Sequence, residues 1–326
     1  MRPIVLASTA HLADHTAFVT TRNQYGRIGS SDAAAVCNLD PWTPPLRPWL
    51  RLIGEPLSQE ETDAMLTGTL LEDDVATIFS YKTGFPTKRR NAILQHAEHV
   101  FMTANLDRLT KDDTGHWVPL ELKTASAWKA EAWADGAVPE HYQLQVQHQL
   151  AVTDADHGWI CVLIGGQIPR WSRIDRDDAL IANLIDLEAD FWYNHVLTRI
   201  PPVVDGREAT TEVLKRLYPE ATTGHHVILD AEAVEQIRRK QALADQIDQL
   251  TQDYEAIRNA FRVKLGDAEA GYVLGVAKPV VTWKSSTRNH FDEKAFAAAY
   301  PALYQEFTHA TPARTLRFPP LKEVHA

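Results

Sequence analysis

At 326 residues the chain is long enough for one large domain, or for a catalytic domain with an appendage. Its formal net charge of −10 argues against a broad, non-specific nucleic-acid coat, which needs a basic excess, but allows an enzyme with a local basic channel. The two cysteines lack metal-ligand spacing and no apolar run is long enough to span a membrane. We therefore expect a soluble, cytoplasmic protein with buried free thiols.

The N-terminal region contains one candidate anion site. Residues 1–20 have no clear pattern and are expected to be irregular. Over residues 26–37 a glycine-rich turn opens a short helix, with three candidate capping residues at 30–32. The free backbone N–H groups of such a start suit an anion or phosphate, although a plain capped helix is equally compatible with these residues. A second helix is predicted near residues 47–53.

A stronger helix is predicted over residues 65–83, ended by Gly84. Glu72 lies at the edge of its apolar stripe, whereas Asp73 and Asp74 point away. A carboxylate close to the core needs a partner, because burying it unpaired is costly. Glu72 is therefore either shielded by a nearby arginine or an acidic group that reaches a metal site.

Two strands over residues 99–109 and 117–123 are predicted to form a hairpin, since the segment between them carries turn-forming Asp and Gly residues. Residues two apart on a strand share a face, so Glu121 and Lys123 project together. If the strands pair, Asp107 lies beside them. The sequence thus brings two carboxylates and one ammonium group to one place.

This combination suits phosphodiester hydrolysis. Mg²⁺ prefers oxygen ligands and binds through one or two carboxylates, several waters and substrate phosphate. A metal or metal pair held in this way can activate water and stabilise the departing oxygen. A lysine beside it can hold the attacking water or offset charge on the phosphate. The alternative is a surface hairpin with one Glu–Lys pair, which is common and contributes little.

Five further elements complete a mixed sheet with helices on its faces, an α/β or α+β core. They are helices over 127–135, 139–153 and 177–198 and strands over 158–165 and 168–174. On the second of these helices Gln149 lies on the inner face and Gln145 at its margin. Buried amides must find hydrogen-bond partners, so both residues are notable.

Two prolines at positions 201 and 202 mark a boundary between a first domain, residues 1–200, and a connection over 201–229. The remainder, 230–326, is predicted to hold a long helix and a small α/β region. From Ile247 to Phe261 apolar residues repeat on that helix as in a coiled coil, which indicates packing on its own domain or, alternatively, a partner zipper. Further segments are expected to be strand-like over 271–283 and 314–318 and helical over 291–307.

Five motifs follow one another in an order that resembles a known family. They are Ile28–Asp32 (IGSSD), Gly68–Glu72 (GTLLE), Ala104–Asp107 (ANLD), Leu120–Lys123 (LELK) and the PEHYQLQVQHQLAVT segment at 139–153. The chain resembles the YqaJ viral recombinase family, the lambda-type phage exonucleases of the PD-(D/E)XK nuclease superfamily, over about residues 22–197. The resemblance implies a restriction-endonuclease-like core for that region.

The resemblance also implies roles for the hairpin residues. Asp107, Glu121 and the carbonyl oxygen of Leu122 would bind two divalent ions, Mg²⁺ or Mn²⁺. Lys123 would position the nucleophilic water, and Glu72 would assist from its helix.

Three further roles follow from the same likeness. Gln145 would contact Lys123 or the reacting phosphate. Arg22 or Arg27, together with Ser31, would hold the 5′-phosphate of the substrate, and the sequence leaves open which arginine does so.

By the same resemblance the protein would degrade one strand of duplex DNA from its 5′ end, as a phage or prophage protein in a bacterial host. It would form a ring-shaped trimer and work beside a single-strand annealing recombinase. Two alternatives remain. An endonuclease on the same core would cut closed circular DNA, and a non-catalytic DNA-end binding protein would gain no thermal stability from Mg²⁺.

Overall fold

The computed structural model describes residues 2–10, 15–55, 57, 62–310 and 314–319. They form two compact units, Met1–Tyr218 and Pro219–Ala326. No helix in these described parts has the length and apolarity needed to cross a membrane.

A mixed sheet lies at the centre of the first unit. Its strands are β1 Ile4–Ser8, β2 Ile28–Gly29, β3 Thr87–Gln95, β4 Met102–Lys111, β5 Trp117–Ala125, β6 His157–Ile164 and β7 Ile168–Asp175. Their order is β1-β3-β4-β5-β6-β7, with the short β2 beside β4. β5 and β6 are parallel, as are β2 and β4, whereas the other neighbours are antiparallel.

Helices cover this sheet. They are α1 His15–Tyr25, α2 Ala33–Val36, α3 Leu46–Leu52, α4 Asp63–Thr83, α5 Glu140–Thr153, α6 Asp178–Asp190 and α7 Glu208–Leu217. A 3-10 segment covers Ser30–Asp32, and a second one, Ala127–Gly136, is kinked at Ala134 and Asp135. A π-helical segment, Phe191–Val196, continues α6.

Alternation along β5 and β6 assigns the two faces of the sheet. Leu120 and Leu122 pack with Val75 and Phe79 of α4 in one apolar cluster. The other set of β6 side chains, such as Ile160, joins a larger cluster with α5 and α3. Since successive strand residues point to opposite faces, Glu121 and Lys123 lie on the side away from α4.

The structure confirms most of the predicted core. α4 ends at Gly84, whose φ of +76° requires the left-handed conformation that glycine adopts without a Cβ penalty. The β4–β5 hairpin, helix α5 and the β6–β7 hairpin form where they were expected. The mixed sheet between helices confirms the predicted α/β class.

At the N-terminal side one prediction was wrong and one strand was not predicted. The described part of residues 1–20 is not irregular, because β1 pairs with the end of β3 and α1 begins at His15. β3 itself was not predicted, since its first half is a run of exposed, mostly charged residues and only its second half is buried. The pairing that makes it a strand comes from β4, and local alternation does not reveal it.

The predicted connection over 201–229 contains a helix. Thr210 and Val213 of α7 are buried, because this helix packs against α3 within the first unit. The boundary between the two compact units accordingly lies after Tyr218 instead of at the two prolines.

The second unit consists mainly of the long helix α8, Ala231–Leu265. It also contains β8 Ala270–Gly271, β9 Val281–Thr282, α9 Glu293–Ala299 and α10 Pro301–Phe307. The strand-like prediction for 314–318 was wrong, since those residues form no strand in the structure. Within the described residues no side chain of α8 is buried, so its apolar stripe does not pack on a core of this unit.

Candidate active site

The strands β4 and β5 separate at Asp107. Their antiparallel pairing extends from Lys111 opposite Trp117 to Arg108 opposite Leu120, and it stops there. From Leu120 onward β5 pairs with β6 on its other edge. The fork between β4 and β5 leaves room for side chains where the two strands would otherwise be joined.

The carboxylate of Asp107 occupies the fork. Its Oδ2 accepts a hydrogen bond of 2.8 Å from the backbone N–H of Leu122, in place of a backbone acceptor from β4. Burial raises the pKa of Asp107 well above its ordinary value, and the carboxylates of Glu121 and Glu72 add to this effect while Lys123 opposes it. The fork therefore concentrates negative charge that a cation would stabilise.

Glu121 is buried and is held by three donors. Its Oε1 accepts hydrogen bonds from Lys123 Nζ and, at 2.6 Å, from Gln145 Nε2. Its Oε2 accepts a further bond of 2.6 Å from Gln149 Nε2. The amides predicted on the inner face and margin of α5 thus find their partner in this carboxylate.

Lys123 remains positively charged at this site. Burial by itself would lower the pKa of Lys123, but the carboxylates of Glu121 and Asp107 raise it above the ordinary lysine value. The group is suited to donate hydrogen bonds, and it is poorly suited to act as a general base.

Glu72 lines a cleft together with Asp107 and is paired with an arginine. Arg108, almost fully buried, donates to Glu72 Oε1 at 2.5 Å and also to Asp73 and to the carbonyl oxygen of Asp107. Asp73 additionally accepts from Arg89 at 2.5 Å. Asp73 is exposed, as expected of a residue that points away from the apolar stripe, although Arg108 still reaches its carboxylate.

Arg22 and Ser31 line the same cleft as Asp107, Glu72 and Gln145, within a cavity of about 510 Å³. Arg27 is not among its lining residues. Burial lowers the pKa of Arg22, and Nε of this side chain has no hydrogen-bond partner among the described residues.

The fork offers hard oxygen ligands. Asp107 and Glu121 provide two carboxylates beside the backbone of Leu122, and this oxygen set fits Mg²⁺ or Mn²⁺. Within the described ranges no three His, Cys, Asp or Glu side chains form a group that could hold a metal ion. Waters and a substrate phosphate would have to complete the coordination.

Comparison with known proteins identifies the family. A family model for the YqaJ-like viral recombinase domain matches residues 17–156, which include the fork, Arg22 and Gln145. The similarity extends well beyond this range: the uncharacterized protein YqaJ of Bacillus subtilis (strain 168) is 34% identical over 287 residues, covering 87% of this chain and 88% of that protein. The chain belongs to the YqaJ-like viral recombinase family. The resemblance inferred from the five motifs is confirmed.

Two solved structures are similar to this YqaJ-family chain over part of its length. An alkaline exonuclease (LHK-Exo) from Laribacter hongkongensis is 25% identical, with a TM-score of 0.46 over 60% of this chain and 95% of that chain. A phage-related exonuclease from Haemophilus somnus 129PT is 13% identical, with a TM-score of 0.39 over 53% of this chain and 96% of that chain.

Two parts of the site were not predicted from the sequence. Arg108 was passed over, although a charged residue inside an apolar strand is a signal that could have identified it. Gln149 was noted only as a buried amide, and its link to Glu121 became visible in the structure.

Proposed function

We propose that this YqaJ-family protein is a metal-dependent deoxyribonuclease that digests linear duplex DNA as a 5′→3′ exonuclease. Its product would be the single strands used in phage-type homologous recombination. Family membership supports a nuclease role. The observation on which the proposal depends is the convergence of Asp107, Glu121 and Lys123 where β4 and β5 separate.

In this proposal the carboxylates of Asp107 and Glu121, with the carbonyl oxygen of Leu122, hold one or two Mg²⁺ or Mn²⁺ ions. When bound, these ions supply an activated water and stabilise the departing oxygen of the phosphodiester. Gln145 and Gln149 fix the orientation of Glu121 through 2.6 Å hydrogen bonds, so that its position does not depend on the metal alone.

Lys123 has a separate role. Its ammonium group, kept protonated by the neighbouring carboxylates, donates a hydrogen bond to the attacking water. It also stabilises the negative charge that develops on the phosphate oxygens. Glu72 assists from α4, held by Arg108 at the wall of the cleft.

The end of the substrate is held by Arg22 and Ser31. Both residues line the cleft that contains Asp107, and Arg22 has an unpartnered, buried Nε among the described residues. A guanidinium with free donors is suited to bind a terminal phosphate. We assign the 5′-phosphate to Arg22 instead of Arg27, which does not line the cleft.

Assembly and partners are inferred from the family resemblance. We propose a ring-shaped trimer that works with a single-strand annealing recombinase in the bacterial cytoplasm, with the nuclease activity in the N-terminal domain. The acidic net charge of −10 is compatible with a ring whose basic surface faces inward.

The substitution Lys123→Ala tests the proposal. We expect it to abolish digestion of linear duplex DNA while thermal unfolding and DNA binding stay near wild type. Lys111→Ala, at the exposed end of the same hairpin, is the matched control and should digest DNA normally. Wild-type digestion by Lys123→Ala would contradict the assigned role.

A further inference from the structure

A row of rings connects Lys123 with the protein surface. The ring centre of Tyr142 lies 5.1 Å from Lys123 Nζ. The rings of Tyr142 and His141 are 4.1 Å apart, and His141 meets Trp42 edge-on at 5.1 Å. Trp42, at the outer end of this row, is 52% exposed.

The loop that carries Trp42 is firmly held. The backbone N–H groups of Trp42 and Thr43 both donate to Asp40 Oδ1 at 2.7 Å. Arg207, 167 residues further along the chain, donates to the carbonyl oxygen of Asp40 at 2.6 Å and also to Asn38 Oδ1. The backbone therefore holds the large Trp42 ring in a fixed place at the surface. Because this loop is already ordered, binding of a ligand to the ring costs less conformational entropy.

Charges of both signs lie beside the row, since the carboxylates of Asp40 and Glu140 also act on His141. Lys129 Nζ lies 4.0 Å from the ring centre of Trp42, and Lys123 occupies the inner end of the row. The carboxylate of Asp40 is already occupied by two backbone donors. Nε2 of His141 is buried and has no hydrogen-bond partner among the described residues. An exposed ring with lysine beside it has the chemistry that single-stranded nucleic acid requires, a face for a base and a cation for its phosphate.

We propose that Trp42 stacks on an unpaired nucleobase of the DNA strand that is being digested, with Lys129 at the adjoining phosphate. The row of rings then forms one wall of the path that this strand takes at Lys123. This inference rests on the proposed function, because it takes Lys123 as the place of hydrolysis. If Trp42 only packs on His141, its replacement will change the binding of every DNA by the same factor, whether or not a base is present at a given position.

The decisive experiment combines protein and DNA substitutions. Linear duplexes with a 5′-phosphate carry a single abasic site at one of the first six positions of the 5′ strand. Binding of each duplex by the full-length protein is measured by fluorescence anisotropy in EDTA, so that no strand is cut. Trp42→Ala removes the ring, and Trp42→Leu keeps apolar bulk against His141 if the alanine variant does not fold.

We expect both variants to bind the intact duplex about tenfold more weakly, in line with the usual contribution of one base–aromatic stack. At one abasic position the affinity of the wild type should fall by about the same factor, whereas the affinity of the variants should not fall further. Trp117→Ala, whose ring lies 3.8 Å from Lys88 Nζ, is the matched control and should bind like the wild type. Trp42→Phe should recover most of the binding.

Equal losses at all six abasic positions in wild type and variants would overturn the assignment of Trp42. A digestion assay with Mg²⁺ separates this outcome from failure of the proposed function. If wild type digests linear DNA and Trp42 shows no coupling to any base, only the stacking proposal is wrong. If wild type neither binds nor digests DNA, both proposals are wrong.

Discussion

The guanidinium of Arg108 holds the carboxylate of Glu72 at 2.5 Å, from a side chain that is only 5% exposed. The same arginine donates to Asp73, so one buried cation is shared by two acidic residues of α4. Because Arg108 directly follows Asp107 on β4, this contact fixes α4 relative to the fork. It therefore connects the stability of the fold with the position of a proposed catalytic group.

Replacing Arg108 by Gln leaves Glu72 and Asp73 without their shared cation. Breaking a buried pair costs about 3–5 kcal/mol, and the partial exposure of Glu72 reduces this to roughly 1–3 kcal/mol. Urea unfolding should show that loss, and digestion should slow because Glu72 is no longer held at the cleft. The control is Arg89→Gln, which breaks a largely exposed pair with Asp73 and should cost less than about 1 kcal/mol. Equal unfolding free energies for both variants would contradict the role of Arg108.

Gln149 and Gln147 offer a matched pair on α5. Both are buried, but Gln149 donates to Glu121 whereas Gln147 donates to the carbonyl oxygen of Asp175. Removing a hydrogen bond to a charged group costs about 1.5–3 kcal/mol and removing one between neutral groups about 0.5–1.5 kcal/mol, so either Gln→Leu change should destabilise the protein. Only Gln149→Leu should also raise the Mg²⁺ concentration needed for half-maximal digestion, which a metal titration measures. The proposed role of Gln149 at the metal site is contradicted if both variants respond to Mg²⁺ alike.

Asp112 gives a prediction on acid stability. Burial alone would raise the pKa of Asp112, but hydrogen bonds from Thr114, Trp159 and His157 lower it far below the ordinary 3.8. A carboxyl with a lowered pKa stabilises the fold above its ordinary pKa, and this contribution is lost as the pH falls below that value. Asp112→Asn should therefore be less stable than wild type at pH 7, by about 1–3 kcal/mol. In urea unfolding this difference should shrink below pH 4; a constant difference would show that the carboxylate is not responsible.

The 5′-phosphate pocket can be tested with two kinds of DNA end. Duplexes with 5′-hydroxyl ends should be digested more slowly than those with 5′-phosphate, because Arg22 and Ser31 then lack their anionic partner. Arg22→Gln should abolish this preference, whereas Arg27→Gln should retain it, since Arg22 lines the cleft and Arg27 does not. Initial rates on both substrates measure the ratio. Equal digestion rates of the wild type on both kinds of end would contradict the proposed 5′-phosphate pocket.

Helical and strand periodicity predicted much of the site. The period of α5 places Gln145 and Gln149 toward the core, and the alternation of β5 places Glu121 and Lys123 on one face. Both patterns are local, so a single sequence was enough to predict that these groups share one face. Family resemblance then supplied the roles that periodicity cannot supply.

Long-range contacts were beyond the sequence. Arg108 finds Glu72 and Asp73 across 36 and 35 positions, and no local pattern relates these residues. β1 becomes a strand only through β3, whose own exposed half hides its period. The loop that carries Trp42 is likewise fixed by a distant residue, since Arg207 contacts Asp40 across 167 positions.

The most direct test is a digestion time course with Mg²⁺ and without it. The substrates are linear duplex DNA labelled at either the 5′ or the 3′ end, and closed circular duplex. The account predicts early loss of the 5′ label from linear DNA, only with metal, while the circle stays intact. Cutting of the circle would indicate an endonuclease, and no digestion of any substrate would contradict the proposed activity altogether.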